Sequence, residues 1–153
     1  MRIRDSIVIE RPIEEVFAFV LDQRNEPSYN PAMKTCVKAT DGPIGVGTRF
    51  DSYLDGARPL AMTSELTKLQ RPRLIASRTT MRGSTIVGTL SFVAQDAAKT
   101  RMTWDWDVRT AGLMRLSAPL IWLLGRRMER RIWAGLKRRL ESGRGQTGGG
   151  FDG

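Results

Sequence analysis

Histidine does not occur in this 153-residue sequence. Its absence removes Ser-His-Asp and Cys-His nucleophilic sites, histidine-ligated zinc and HExxH hydrolysis. Any proton transfer must then run through Asp, Glu, Tyr, Lys, Arg or bound water. Cysteine is nearly absent too. Cys36 stands alone, which excludes an intrachain disulfide and a thiolate metal cluster and fits a reducing cytosol. No apolar run approaches the ~20 residues a membrane-spanning helix needs. Residues Met1 to Glu10 are charged and alternating, unlike the apolar segment of a signal peptide. No metal and no cofactor is expected. Gly45-Val-Gly47 lacks the rest of a dinucleotide fingerprint and leads into a strand, so it reads as a turn.

What is present is enough for a core. An apolar content of 41% places the chain among globular domains, and its length suits one domain. The formal net charge is +9, and +6 of it falls on residues 112–142, where eight Lys and Arg face two Glu. Such an excess bears on solubility and anionic partners rather than on fold.

Residues 2–9 alternate and read as a strand, ended by Arg11-Pro12. Pro12 suits the first turn of a helix, with Glu14 and Glu15 near the positive end of its dipole. Val16, Phe17, Phe19, Val20 and Leu21 supply that helix's apolar face, and the stretch from Asn25 to Pro31 ends it with one short helical turn. Six strands follow at 33–40, 47–54, 59–69, 73–81, 84–94 and 100–109, separated by turn signals such as Asp41-Gly42-Pro43, Asp55-Gly56 and Arg82-Gly83. Hairpin-length links imply an antiparallel meander. The longest helical pattern covers 112–141, with Pro119 inside it as a kink or a true start. Residues 143–153 are Gly-rich and predicted to be a disordered tail, leaving 1–142 as the domain. The long helix is the only element able to cover the sheet's apolar face, and a curved sheet closing on it leaves an apolar space.

Several segments in this order resemble one known superfamily. They are Ile7-Val-Ile-Glu-Arg-Pro-Ile-Glu-Glu-Val-Phe-Ala-Phe-Val-Leu-Asp22, then Asn30-Pro31 after Tyr29, then Gly45-Val-Gly-Thr-Arg-Phe50. Glu65-Leu-Thr-Lys-Leu-Gln-Arg-Pro-Arg73, Thr100-Arg-Met-Thr-Trp104 and Leu136-Lys-Arg-Arg-Leu-Glu141 continue the series. Together they are similar to the SRPBCC or START-like helix-grip superfamily, close to its polyketide cyclase/dehydrase branch. The resemblance implies an α+β fold, a curved six- or seven-stranded antiparallel sheet wrapped around a long C-terminal helix. It also implies a cavity for lipids, sterols, quinones or polyketides, and it specifies fold far better than ligand.

Alternation then assigns the inward face. Phe50, Ser52 and Leu54, then Met62, Ser64 and Leu66, then Ile75, Ser77 and Thr79, then Leu90 and Phe92 point inward with Trp104 and Trp106, and Leu120 and Leu124 face them from the helix. The small hydroxyl residues leave room and carry hydrogen-bonding groups. Each Trp reads either as cavity wall with one N–H donor or as plain core. Asp105 and Asp107 point away from the Trp face, with Arg101 and Arg109 beside them for cross-strand pairing, and Asp51, Glu65, Arg78 and Tyr53 also read outward. No inward acid or base is evident, so no catalytic residue is assigned. Cys36 reads as a small buried residue, not a nucleophile.

On the long helix, Arg126, Arg130 and Lys137 form one stripe and Arg127, Arg131 and Arg138 the next, with Trp122 and Trp133 nearby. This pattern is either a solvated face or an interfacial element for an anionic membrane. Nucleic acid is not expected, because the aromatics form no exposed platform on a basic sheet. The leading reading is a cytoplasmic binder or carrier of a hydrophobic small molecule, peripheral to the membrane if the basic stripe meets lipid. A polyketide cyclase/aromatase or dehydratase-type enzyme is the alternative, and binding to an anionic membrane or macromolecule through the basic C-terminal helix is the second.

Overall fold

In the computed structural model, the structure describes residues 1–56, 59–110 and 118–143. Seven antiparallel strands form one sheet: β1 (Arg2–Ile9), β2 (Met33–Lys38), β3 (Arg49–Leu54), β4 (Leu60–Gln70), β5 (Leu74–Met81), β6 (Ser84–Asp96) and β7 (Lys99–Thr110). Their spatial order is β1-β7-β6-β5-β4-β3-β2, so β2 to β7 form a meander and β1 adds to its far edge. Helix α1 (Ile13–Leu21) and a 3-10 turn (Gln23–Ser28) carry the chain from one edge of the sheet to the other. Helix α2 (Ala118–Ser142) is the long C-terminal helix. The helix-grip architecture is as the sequence implies. The part of the predicted helix at 112–117 and the predicted tail from 144 onward lie outside the described residues, as do the side chains of 118–121.

Local chemistry sets the element ends. Pro12, extended at φ −57° and ψ 147°, precedes α1, whose first turn carries Glu14 and Glu15. Asp22 then leaves the helical region, and its carboxylate accepts the backbone N–H of Arg24 at 3.1 Å, opening the 3-10 turn. Gly42, Gly47 and Gly83 hold the left-handed backbone that their turns require. The register shifts in β4 between Leu66 and Lys68, and in β6 between Ala94 and Asp96, help the sheet curve.

The alternation in β7 is read correctly from sequence: Trp104 is 2% exposed, while Asp105 meets Arg2 of the neighbouring strand. The partner differs from the expected Arg101. Arg109 pairs with Asp107 along its own strand at 3.0 Å, not across strands. Helix α1 fills one end of the inner face, where Val16, Phe17, Val20 and Leu21 join Phe50, Leu66, Phe92 and Met102 in the core. Phe17 meets Phe92 edge to face with centroids 5.2 Å apart. Helix α2 lies over the β1 side, held by Arg130 to Asp5 at 2.8 Å and by the Lys137 ammonium to the Val8 carbonyl at 2.9 Å. Gly135 brings it against the backbone of Tyr29, where a Cβ would collide with the Tyr29 carbonyl.

Candidate functional site

Beyond the end that α1 fills, the inner face of the sheet and α2 line a partly open cavity of about 380 Å³. Nine of the inward residues assigned from sequence lie on its wall: Ser52, Leu54, Met62, Ser64, Ile75, Ser77, Thr79, Leu90 and Trp106. Four others belong to the packed core instead. Phe50, Leu66, Phe92 and Trp104 are buried among α1, α2 and the sheet, because α1 occupies the space that alternation alone leaves open. The Trp104 Nε1 is buried with no acceptor among the described residues.

Leu124 is a correction, since it is 56% exposed. A helix turns about 100° per residue, so a stripe of four-residue steps drifts by about 40° each time. From Leu136, which is fully buried, Leu124 has rotated by about 120°. The residues that face the cavity are Gly125, Met128, Glu129, Ile132 and Trp133. The side chain of Leu120 lies outside the described residues.

Two carboxyl groups that sequence reasoning missed close one side of the cavity. Glu26 lies in the 3-10 turn and Glu129 on α2, and both are on the wall. One oxygen of Glu26 accepts an N–H of the Asn30 side-chain amide at 2.8 Å, and the Asn30 side-chain Oδ1 accepts the Ala32 backbone N–H at 3.0 Å. Glu129 Oε2 accepts two indole N–H groups, from Trp106 at 3.1 Å and from Trp133 at 2.8 Å. Burial pushes the Glu26 carboxyl up to about 7, the nearby Glu129 adds to this, and the Asn30 amide acts against it. Burial also raises Glu129, while the two indoles hold it back. Tyr29 packs beside them, its ring centroid 6.2 Å from that of Trp133, and burial raises its hydroxyl well above the usual range.

The signal for Glu26 was the short Asn25–Pro31 turn, too brief to carry periodicity. Glu129 stands among four arginines, where a surface ion pair would account for it equally well. Its heptad-like position, three before Ile132 and seven before Leu136, was the legible clue. Cys36 is half-buried, and burial together with Glu26 pushes its thiol up to about 12, which disfavours the thiolate. The outward acids are ordinary ion-pair partners: Arg2 holds Asp105 below the carboxylate range, and Arg109 does the same for Asp107.

Residues 1–141 match a family described as polyketide cyclase / dehydrase and lipid transport. The chain belongs to that family. No curated protein matches it in sequence. Among solved structures, this member of the polyketide cyclase / dehydrase family is similar to the Zhui aromatase/cyclase from Streptomyces sp. R1128, at 17% identity over 99% of both chains with a TM-score of 0.77. It is also similar to a START superfamily protein from Mycobacterium smegmatis, at 15% identity over 92% of this chain and 97% of that one, TM-score 0.78. A protein from Thermus thermophilus aligns at 16% identity over 94% and 99%, TM-score 0.73. At these identities the likeness shows the fold.

The basic stripe of α2 is not free in the way its sequence suggests. Arg126 and Arg130 reach Asp5, and the Lys137 ammonium bonds the Val8 carbonyl and Glu141. The adjacent stripe of Arg127, Arg131 and Arg138 is exposed. Among the described residues no helix is long and apolar enough to cross a membrane.

Proposed function

We propose that this family member binds a small, largely apolar molecule in the cavity between sheet and α2. The observation that carries the reading is the cavity itself. Its volume of about 380 Å³ lies in the range of small-molecule sites, ~300–1,000 Å³. Leu54, Met62, Leu90, Ile132 and Trp106 give it apolar walls, and Ser52, Ser64, Ser77 and Thr79 add hydroxyls at intervals. Apolar burial at ~25 cal/mol per Å² supplies affinity, and the polar groups fix orientation. The size suits one compact polyketide, quinone or single-chain lipid better than a diacyl lipid.

Native mass spectrometry of freshly purified protein tests this by looking for a co-purified ligand. A neutral apolar dye tests it independently. Ser77→Leu fills the cavity and should abolish dye binding, whereas Asp105→Ala, on the outer face, should leave it intact. Dye binding indifferent to Ser77→Leu in a folded variant would sink the reading.

Glu26 and Glu129 favour a second reading, catalysis of the polyketide cyclase/aromatase or dehydratase type. A carboxyl titrating near neutrality is suited to give and take protons at working pH, and the walls would hold a reactive chain in a productive fold. The similarity to an aromatase/cyclase supports this reading. Cyclisation of a poly-β-ketone chain, lost in Glu26→Gln while dye binding persists, would separate enzyme from binder.

A further inference from the structure

At the end of the cavity lined by Glu26 and Glu129, both indole N–H groups are committed, and each neighbouring primary amide has used one of its two N–H donors. Both indole N–H groups go to Glu129 Oε2, the Asn30 amide goes to Glu26 Oε1, and the Gln23 amide goes to Ser64 Oγ at 3.2 Å. The second oxygen of each carboxyl accepts no bond from the described residues, and both residues are on the cavity wall. Among the described residues the wall carries no Lys or Arg side chain. Met1 is on the wall, and its ammonium bonds the Val108 carbonyl at 2.9 Å and pairs with Asp107 at 3.6 Å. What this end offers a guest is chiefly carboxyl oxygens, with the Tyr29 hydroxyl and the spare amide N–H groups of Gln23 and Asn30 beside them.

We propose that the cavity selects amphiphiles whose head group donates hydrogen bonds, a protonated amine first and a hydroxyl second, and that it disfavours carboxylates such as fatty acids. This rests on the cavity being a binding site. Two enclosed carboxyls without a cation are costly to ionise together. An ammonium head supplies the missing charge and up to three donors, whereas a carboxylate head adds a third anion beside two acids and meets only hydroxyl and amide donors, with no cation. The groups that face the pair are few. Asn30 and Tyr29 come from the 3-10 turn and the residues after it, Trp106 from β7, Trp133 from α2 and the neutral Cys36 from β2. None is a cation. The net charge of +9 would by itself favour an anionic guest, so a preference for cations must originate in the site.

The test uses the full chain loaded with N-phenylnaphthylamine, a neutral apolar dye. Octylamine, octanol and octanoate share one tail and differ only in head, and each competes for the dye. Near neutral-to-alkaline pH, octylamine should displace it at a concentration lower than octanoate by about tenfold or more, with octanol between them. Acidification towards about pH 5 protonates Glu26 and should shrink the amine's advantage, because the acid then donates instead of accepting. The double variant Glu26→Gln with Glu129→Gln should bind the dye and lose the ranking. Glu26→Gln alone, which leaves the two-indole clamp untouched, should narrow it. Octanoate competing as well as octylamine, or a ranking unchanged in folded variants, overturns the selection while leaving the cavity reading in place. Failure of all three to displace a bound dye overturns both.

Discussion

Trp106 of β7 and Trp133 of α2 donate their indole N–H groups to a single oxygen of Glu129, at 3.1 and 2.8 Å. That shared acceptor ties the sheet to the helix across the cavity. Glu129→Ala would leave two indole donors unpaired, at about 1–3 kcal/mol each when buried, partly offset by losing a desolvated acid. Glu129→Gln keeps an acceptor in the same place and should cost less than about 1 kcal/mol. Urea denaturation of the two variants checks the order; Gln as damaging as Ala would mean that charge, not the bond pair, matters.

The acid pair also sets a pH slope. Glu26 moves from 4.5 to about 7 on folding, so between these values the folded state binds more protons than the unfolded one. Its contribution is fully present below about 4.5 and is lost as pH rises through about 7. Asp5, Asp22, Asp105 and Asp107 are lowered and act oppositely, their contribution being lost as pH falls through their folded values. The melting temperature of the native chain should therefore decline from weakly acid to neutral pH. In Glu26→Gln that decline should be shallower, while the acid-side loss stays.

Core and cavity should part company under truncation. Leu66 is fully enclosed by other side chains, and Leu66→Ala should cost ~2–5 kcal/mol. Its folded variant should bind an apolar dye much as the native chain does. Ser77 lies on the cavity wall, and Ser77→Ala should change stability by no more than about 0.5 kcal/mol. Denaturant midpoints and dye titrations on the same samples make the comparison.

Charge removal on α2 should depend on which stripe is taken. Arg126 and Arg130 hold β1 through Asp5, and Lys137 bonds the Val8 carbonyl and pairs with Glu141, so replacing all three by Gln should lower stability by ~0.2–1 kcal/mol per pair lost. Arg127, Arg131 and Arg138 are exposed, and their replacement should leave the melting temperature unchanged. If anionic vesicles bind the protein in a salt-sensitive way, the second triple variant gives the clean test of that contact.

These contrasts mark how far the sequence could be read. Alternation put Trp104 and Trp106 on one face and Asp105 and Asp107 on the other, because a strand's period of two leaves little latitude. It could not say which inward residues α1 would cover, so Phe50 and Phe92 could not be told from Ser52 and Leu90. Depth along a sheet is set by tertiary packing, not by period. On α2 the four-residue stripe was followed too far, and Leu124 fell off the buried face. The two carboxyls were hidden for opposite reasons, Glu26 in a turn without pattern and Glu129 among charges that accounted for it equally well.

Gly88 lies opposite Trp106 on β6, and a carbon added there would run into the Trp106 ring and the Asp105 carbonyl. The indole therefore rests over a stretch of bare backbone, and its reach to Glu129 depends on that missing carbon. Since the Trp106 bond restrains the rise of the Glu129 carboxyl, displacing the ring would let that acid become weaker still. One methyl group on the opposite strand, out of contact with any guest, thus acts on proton affinity inside the cavity. Sequence variation at this position among relatives would tune the acid without altering a single ionisable residue.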